Sequence, residues 1–140
     1  MTLIAAMLIT VLAGLAALHA YWGFGGRWPG HDDASMVERV VGRTRDMRAP
    51  RPESCFAVAA ALLGAGILVA VHRTGELNAA VALVATAGFW SAAAVFLLRG
   101  LAGFVPAVFR YAEGTPFHRL NRIYYSPLCL LIAIAFVACG

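Results

Sequence analysis

The sequence contains no lysine: all 11 basic residues are arginine. Acids are fewer still. The seven present (Asp32, Asp33, Glu38, Asp46, Glu53, Glu76 and Glu113) all lie outside the long apolar runs or at their ends. Carboxylate-driven proton or cation coupling inside a membrane therefore has no carrier. Paired-carboxylate hydrolysis lacks its acid and base for the same reason. The three cysteines, Cys55, Cys129 and Cys139, are odd in number and form no Cys-x-x-Cys pair. That speaks against both a disulfide scaffold and a thioredoxin-like redox motif.

Other chemical signatures are missing too. There is no Gly-x-Ser-x-Gly nucleophile elbow. Gly23-x-Gly-Gly26 has no strand before it and no Gly-Lys-Ser after it, so it does not read as a phosphate loop. His19 is the one histidine well inside an apolar run, which leaves a bis-histidine haem one ligand short. A metal site built from His19, Cys55 and Cys129 has no ligand pair at a recognisable spacing. The sequence leaves any cofactor unknown.

What the sequence does have is apolar surface. Hydrophobic residues make up 61% and charged residues 13%, with mean hydropathy +0.78. Soluble domains sit nearer half apolar and a quarter charged, and a 140-residue globule cannot hide the excess. A bilayer can solvate it. Four apolar runs, at about 3–22, 55–71, 78–98 and 123–139, approach the roughly 20 helical residues needed to cross a hydrocarbon core. Nothing reads as a strand and no repeat is visible. The expected fold is all-α, one four-helix transmembrane bundle over 1–140, with short interfacial helices in the first and third loops. The N-terminus lacks a positive n-region and an Ala-x-Ala cleavage site, so it reads as a retained first span.

Taken in order, the first run ends at an aromatic belt of Tyr21, Trp22 and Trp28, and Gly23, Gly25 and Gly26 stop its helix. Ser35-Met-Val-Glu38 has capping-box spacing, with Val37, Val40 and Val41 following on one side. This predicts a short amphipathic helix on the membrane surface with its arginines toward headgroups. Pro50-Arg-Pro52 breaks and restarts the chain. In the second run Ala57, Ala61 and Ala65 recur beside Ala60 and Gly64. In the third run Ala80, Val84, Gly88 and Ala92 continue a seam for close helix approach. His72-Arg-Thr-Gly-Glu76 is short enough to make these two spans an antiparallel hairpin. The stretch Phe104 to Tyr111 holds Pro106 and reads as a second interfacial segment. Thr115-Pro116 is an N-cap and N1 pair opening the last helix. Pro127 predicts a kink inside it, because it cannot donate to the carbonyl of Ile123.

The arginines set the threading. Six lie in the first connector, four between the third and fourth runs, and Arg73 alone in the middle loop. The positive-inside rule then places both arginine-rich loops in the cytoplasm and both termini outside. The basic charge marks orientation, which removes the case for nucleic acid. The same threading gathers the unusual side chains at one membrane face. His19, Trp22, Trp28, Arg99, Asn121, Tyr124 and Tyr125 are the candidate ligand-binding residues, and Cys55 and Cys129 lie at the same depth.

Each has a plainer explanation. His19 can bond a nearby carbonyl, Arg99 can snorkel to headgroups, the tyrosines can be belt residues, and the cysteines can be small buried hydrophobes. Three functional readings stay open. The first is a pocket for an amphiphilic or anionic molecule, such as a lipid headgroup or quinone, with His19 and Arg99 on its polar part. The second is an accessory or assembly subunit of a larger membrane complex, with homo-oligomers as a variant. The third is a small membrane enzyme using His19 as acid or base.

His19-x-x-Trp22-Gly23-x-Gly-Gly26-x-Trp28-Pro29, Arg99-Gly100, Thr115-Pro-Phe117 and Tyr125-Ser-Pro-Leu-Cys129 together resemble an uncharacterised bacterial family of short four-span integral membrane proteins, a domain of unknown function. The resemblance covers essentially the whole chain. It implies the four-span architecture and a bacterial inner membrane. It implies no activity, cofactor or catalytic residue.

Overall fold

A computed structural model describes residues 2–72 and 78–140. Among the described residues six α-helices follow one another: α1 (Leu3–Gly23), α2 (Asp33–Val40), α3 (Pro52–His72), α4 (Ala79–Ala102), α5 (Pro116–Leu120) and α6 (Ser126–Cys139). A π turn, Asn121–Tyr125, joins α5 to α6. Short 3-10 turns occupy Arg45–Met47 and Arg110–Ala112. No strand occurs among the described residues. The 21 residues of α1 and of α3 each reach about 32 Å at 1.5 Å per residue, against a hydrocarbon core of about 30 Å. Four helical stretches, Leu3–Gly23, Pro52–His72, Ala79–Ala102 and Pro116–Cys139, are long and apolar enough to cross a membrane.

The helices pair off. α1 packs along α3, and α4 along α6, with α3 against α4 and α1 against α6 closing the bundle. On α1 the buried stripe is Ala5, Leu8, Leu12 and Ala16, spaced three and four apart so that it forms one face. It meets Ala59, Leu62, Ala65 and Val69 of α3. Phe136 of α6 fills the other half, edge-on to Phe89 at 5.1 Å and stacked with Phe96 at 6.0 Å. Outward-facing residues are equally apolar: Leu3, Leu83, Val84, Leu98, Leu131 and Ile134 are all well exposed. A surface this greasy all round is solvated by lipid tails and would aggregate in water. The chain is a multi-pass membrane protein.

The small-residue seam matches the sequence expectation only in part. Of the expected α3 column Ala65 is buried and Gly64 half-buried, whereas Ala57, Ala60 and Ala61 lie exposed and Ala59 and Gly66 are buried besides. On α4, Ala80 and Val84 are exposed and Gly88 and Ala92 half-buried, while Ala85, Phe89, Ala93 and Gly100 are buried. Several small-residue columns run along each alanine-rich helix, and spacing by itself does not say which one meets a neighbour. Close approaches fall at Gly88, where a Cβ would meet Leu68 Cδ1 of α3 at 3.0 Å, and at Gly100, where it would meet Leu130 Cδ2 at 2.6 Å and Leu130 N at 3.1 Å.

The first connector also differs. α2 begins at Asp33 with Asp32 as its N-cap, not at Ser35. Asp32 accepts from the Ser35 amide at 2.8 Å, and Ser35 Oγ receives the Asp32 amide at 3.1 Å. The box is therefore Asp32–Ser35, three residues before the expected Ser35–Glu38. Its apolar side, Met36 and Val37, is fully buried and turned toward α5 rather than toward lipid. Phe104 to Tyr111 forms successive turns with a 3-10 end, not a continuous helix. The expected Arg73 turn between α3 and α4 lies outside the described residues.

Two outcomes follow. Gly100→Ala forces α4 from α6 and lowers stability by about 1–3 kcal/mol, read as a lower unfolding midpoint in detergent. Gly64→Ala, with no atom within 4 Å of the added Cβ, leaves the midpoint unchanged or slightly raised. The second concerns α2. The Ser35 hydroxyl and then the Ser35 amide hold the Asp32 carboxyl below its ordinary value of 3.8. A lowered folded-state value means that the cap is fully present above about pH 4 and is lost as pH falls through the folded-state value. Amide-exchange protection over Asp33–Val40 drops across that acid window in the native chain and stays flat in Asp32→Asn.

Candidate functional site

The two long connectors meet at one end of the bundle. Tyr125 Oη donates to the Arg39 carbonyl at 3.0 Å, Tyr111 Oη to the Val41 carbonyl at 3.1 Å, and Arg43 Nη2 to the Glu113 carbonyl at 3.1 Å. Gly42 takes a positive φ of 97° and lies so close to Ala112 that a Cβ would reach its Cβ at 2.5 Å. The ends of α1 and α4 therefore share one end of the molecule, as the threading of the chain requires.

At that end the candidate residues form two clusters. The first closes the turn after α1. His19 Nδ1 lies 2.8 Å from the Leu15 carbonyl, one helical turn back. A carbonyl only accepts, so Nδ1 carries the hydrogen and the neutral ring leaves Nε2 as its basic nitrogen. Trp22 meets the imidazole edge-on at 5.0 Å and donates its indole N–H to the Trp28 carbonyl at 2.7 Å. The Trp28 ring is exposed. Gly26 is required here, because a Cβ would overlap the Tyr21 ring. Arg27 is paired with Asp33 and donates to the Gly25 and Gly26 carbonyls.

The second cluster lies where α4 meets the π turn. Asn121 is 1% exposed and its Oδ1 accepts from Arg99 Nη2 at 2.8 Å. The fully buried Ser126 donates its hydroxyl to the same oxygen at 3.4 Å. The Arg99 guanidinium stands over the Phe109 ring at 5.0 Å, a favourable cation–π placement. Arg99 Nη1 is buried and, among the described residues, has no hydrogen-bond partner, and no carboxylate among them pairs with Arg99. Phe109, Phe117 and Tyr125 continue the aromatic layer at 5.6 and 5.9 Å, reaching the Tyr125–Arg39 bond. Tyr124 points outward and is 62% exposed. Cys55 is buried and Cys129 half-buried, and no group of three metal-ligating side chains occurs among the described residues.

Arg99 and Asn121 are thus brought together, as are His19, Trp22 and Trp28. No hydrogen bond or ring contact among the described residues joins the two groups. Sequence reasoning overlooked Ser126, Gly103 and Phe109. Ser126 is five residues after Asn121, a spacing that an α-helix does not place on one face. The π turn closes it, with the Ser126 amide donating to the Asn121 carbonyl. Pro127 was the signal available: its missing N–H frees the Ile123 carbonyl from the α-helical ladder. Gly103 is needed because a Cβ there would overlap Ser126 Oγ.

Fold and site define a four-span α-helical membrane bundle with a half-buried arginine at its connector end that pairs with no acid among the described residues. The chain belongs to the family described as "Protein of unknown function (DUF3995)", whose model matches residues 12–136. No curated protein and no solved structure matches it.

Removing the acceptor tests the cluster. Asn121→Leu strands a buried guanidinium and costs about 1–3 kcal/mol or more. Arg99→Met combined with Asn121→Leu costs less than the single Asn121 change, because no unpaired charge remains. Detergent unfolding midpoints of both variants check the sign.

Proposed function

We propose that the connector end of the bundle binds an anionic or amphiphilic molecule, such as a lipid headgroup or quinone, with Arg99 as its principal contact. The observation that supports this is the buried Nη1 of Arg99, which has neither a hydrogen-bond partner nor a carboxylate among the described residues. A cation held at membrane depth without a counter-charge is costly, and an anionic oxygen of a ligand satisfies it with a charge-assisted bond. Asn121 fixes the guanidinium from behind and Phe109 supports its face. Tyr124 and Tyr125, with the His19–Trp22–Trp28 group at the α1 end, flank the polar rim. By the positive-inside rule this end faces the cytoplasm of a bacterial inner membrane.

Native mass spectrometry of the purified protein, with phosphatidylglycerol and phosphatidylcholine supplied in turn, tests the reading. The expected result is selective retention of the anionic lipid, weakened about tenfold or more in Arg99→Gln, since a charged hydrogen bond is worth about 1.5–3 kcal/mol and 1.4 kcal/mol is tenfold. Equal retention of both lipids, with no change in Arg99→Gln, overturns it.

A further inference from the structure

A second cationic feature lies outside the Arg99 cluster. Between α2 and α5 is an open hollow of about 540 Å³ lined by Arg39, Gly114, Thr115, Pro116, Arg119 and Leu120. Its size falls within the roughly 300–1,000 Å³ range of small-molecule sites. Two arginines from different segments line it, and no acidic residue is among the described residues of its lining. The nearest acids in sequence, Glu38 and Glu113, are not part of its lining.

The two arginines are held differently. Arg39 is anchored at both ends: Nη1 donates to the Pro29 carbonyl at 3.2 Å, and its own carbonyl receives Tyr125 Oη. The remaining N–H groups of its fork have no hydrogen-bond acceptor among the described residues. Arg119 is exposed and makes no hydrogen bond or ion pair among the described residues. The Thr115 hydroxyl is already committed to the Ala112 carbonyl at 2.7 Å, so it adds shape rather than a donor. Pro116 and Leu120 supply an apolar wall beside the cationic rim.

We infer that this hollow is a phosphate-binding site, in which the forks of Arg39 and Arg119 grip the oxygens of one phosphoryl group from two sides. Arginine is suited to this, since its planar fork matches phosphate geometry. The phosphoryl group belongs to a lipid headgroup or to a free phosphate compound, and the chemistry at the hollow is the same for both. The site stands apart from the Arg99 cluster, and neither requires the other.

The full chain in phosphatidylcholine nanodiscs is titrated with inorganic phosphate and with pyrophosphate by calorimetry. In parallel, nanodiscs doped with phosphatidic acid are scored by lipid retained in native mass spectrometry. The first arm reads a free phosphate, the second a headgroup. In whichever arm the native chain binds, Arg119→Gln weakens binding about tenfold, following the loss of one charged hydrogen-bonding partner. Arg39→Gln with Arg119→Gln removes it. Arg119 is exposed and unpartnered, so the single change leaves the fold intact even if the double variant does not fold. Arg122→Gln, an exposed arginine outside the lining, leaves binding unchanged although it alters the net charge equally. The inference fails if the native chain binds in neither arm, if Arg119→Gln binds as the native chain does, or if Arg122→Gln is as damaging. If Arg99→Gln alone removes binding, the hollow is excluded and the Arg99 reading stands.

Discussion

Hydrocarbon offers a polypeptide no hydrogen-bond partner, and the rest of this structure depends on that constraint. A chain crossing it must satisfy every backbone N–H and C=O within its own helices. Non-helical backbone is confined to where water or other protein groups can reach it. The long connectors therefore gather at one end, and they satisfy part of their backbone through each other. Tyrosine hydroxyls and an arginine reach across to main-chain carbonyls of the opposite connector. These bonds tie the α1–α3 pair to the α4–α6 pair at the polar end, while Phe89, Phe96 and Phe136 fill the bundle further along.

The same constraint explains the one break in the regular helices. Pro127 removes an α-helical donor, and the backbone answers with a π turn rather than an open gap. The wider turn carries Asn121 inward, where it accepts from both Arg99 and Ser126. Gly103 leaves the space for Ser126. Proline, π turn, glycine and buried asparagine are one device, and its result is a guanidinium held in place with one nitrogen that has no partner among the described residues. A structural salt bridge would have supplied an acid there. Arg27, which does have one in Asp33, shows the alternative within the same chain.

The number and extent of the helices were legible in the sequence because hydropathy acts over some 20 residues at a time. No single misread residue changes such a sum. The shared end of His19 and Arg99 followed from the number of crossings, since the first and third connectors flank one hairpin and must lie on the same side. Local details were less legible. Capping by Asp32 and not Ser35 was missed because both residues are good caps three positions apart. Which alanine column is buried was only partly legible because alanine packs equally well on any face. Ser126 was missed because its partnership with Asn121 exists only once the helix period changes.

From the sequence alone came the solvent, the number of crossings and the end at which the unusual side chains collect. These depend on transfer free energy and net charge, which add along the chain. Only the tertiary structure decided that His19 stays with Trp22 and Trp28 while Arg99 goes to Asn121, and that Arg39 and Arg119 from separate connectors line one hollow. Such pairings depend on helix rotation and local pitch. Residues of similar hydropathy leave both undetermined until neighbouring helices pack.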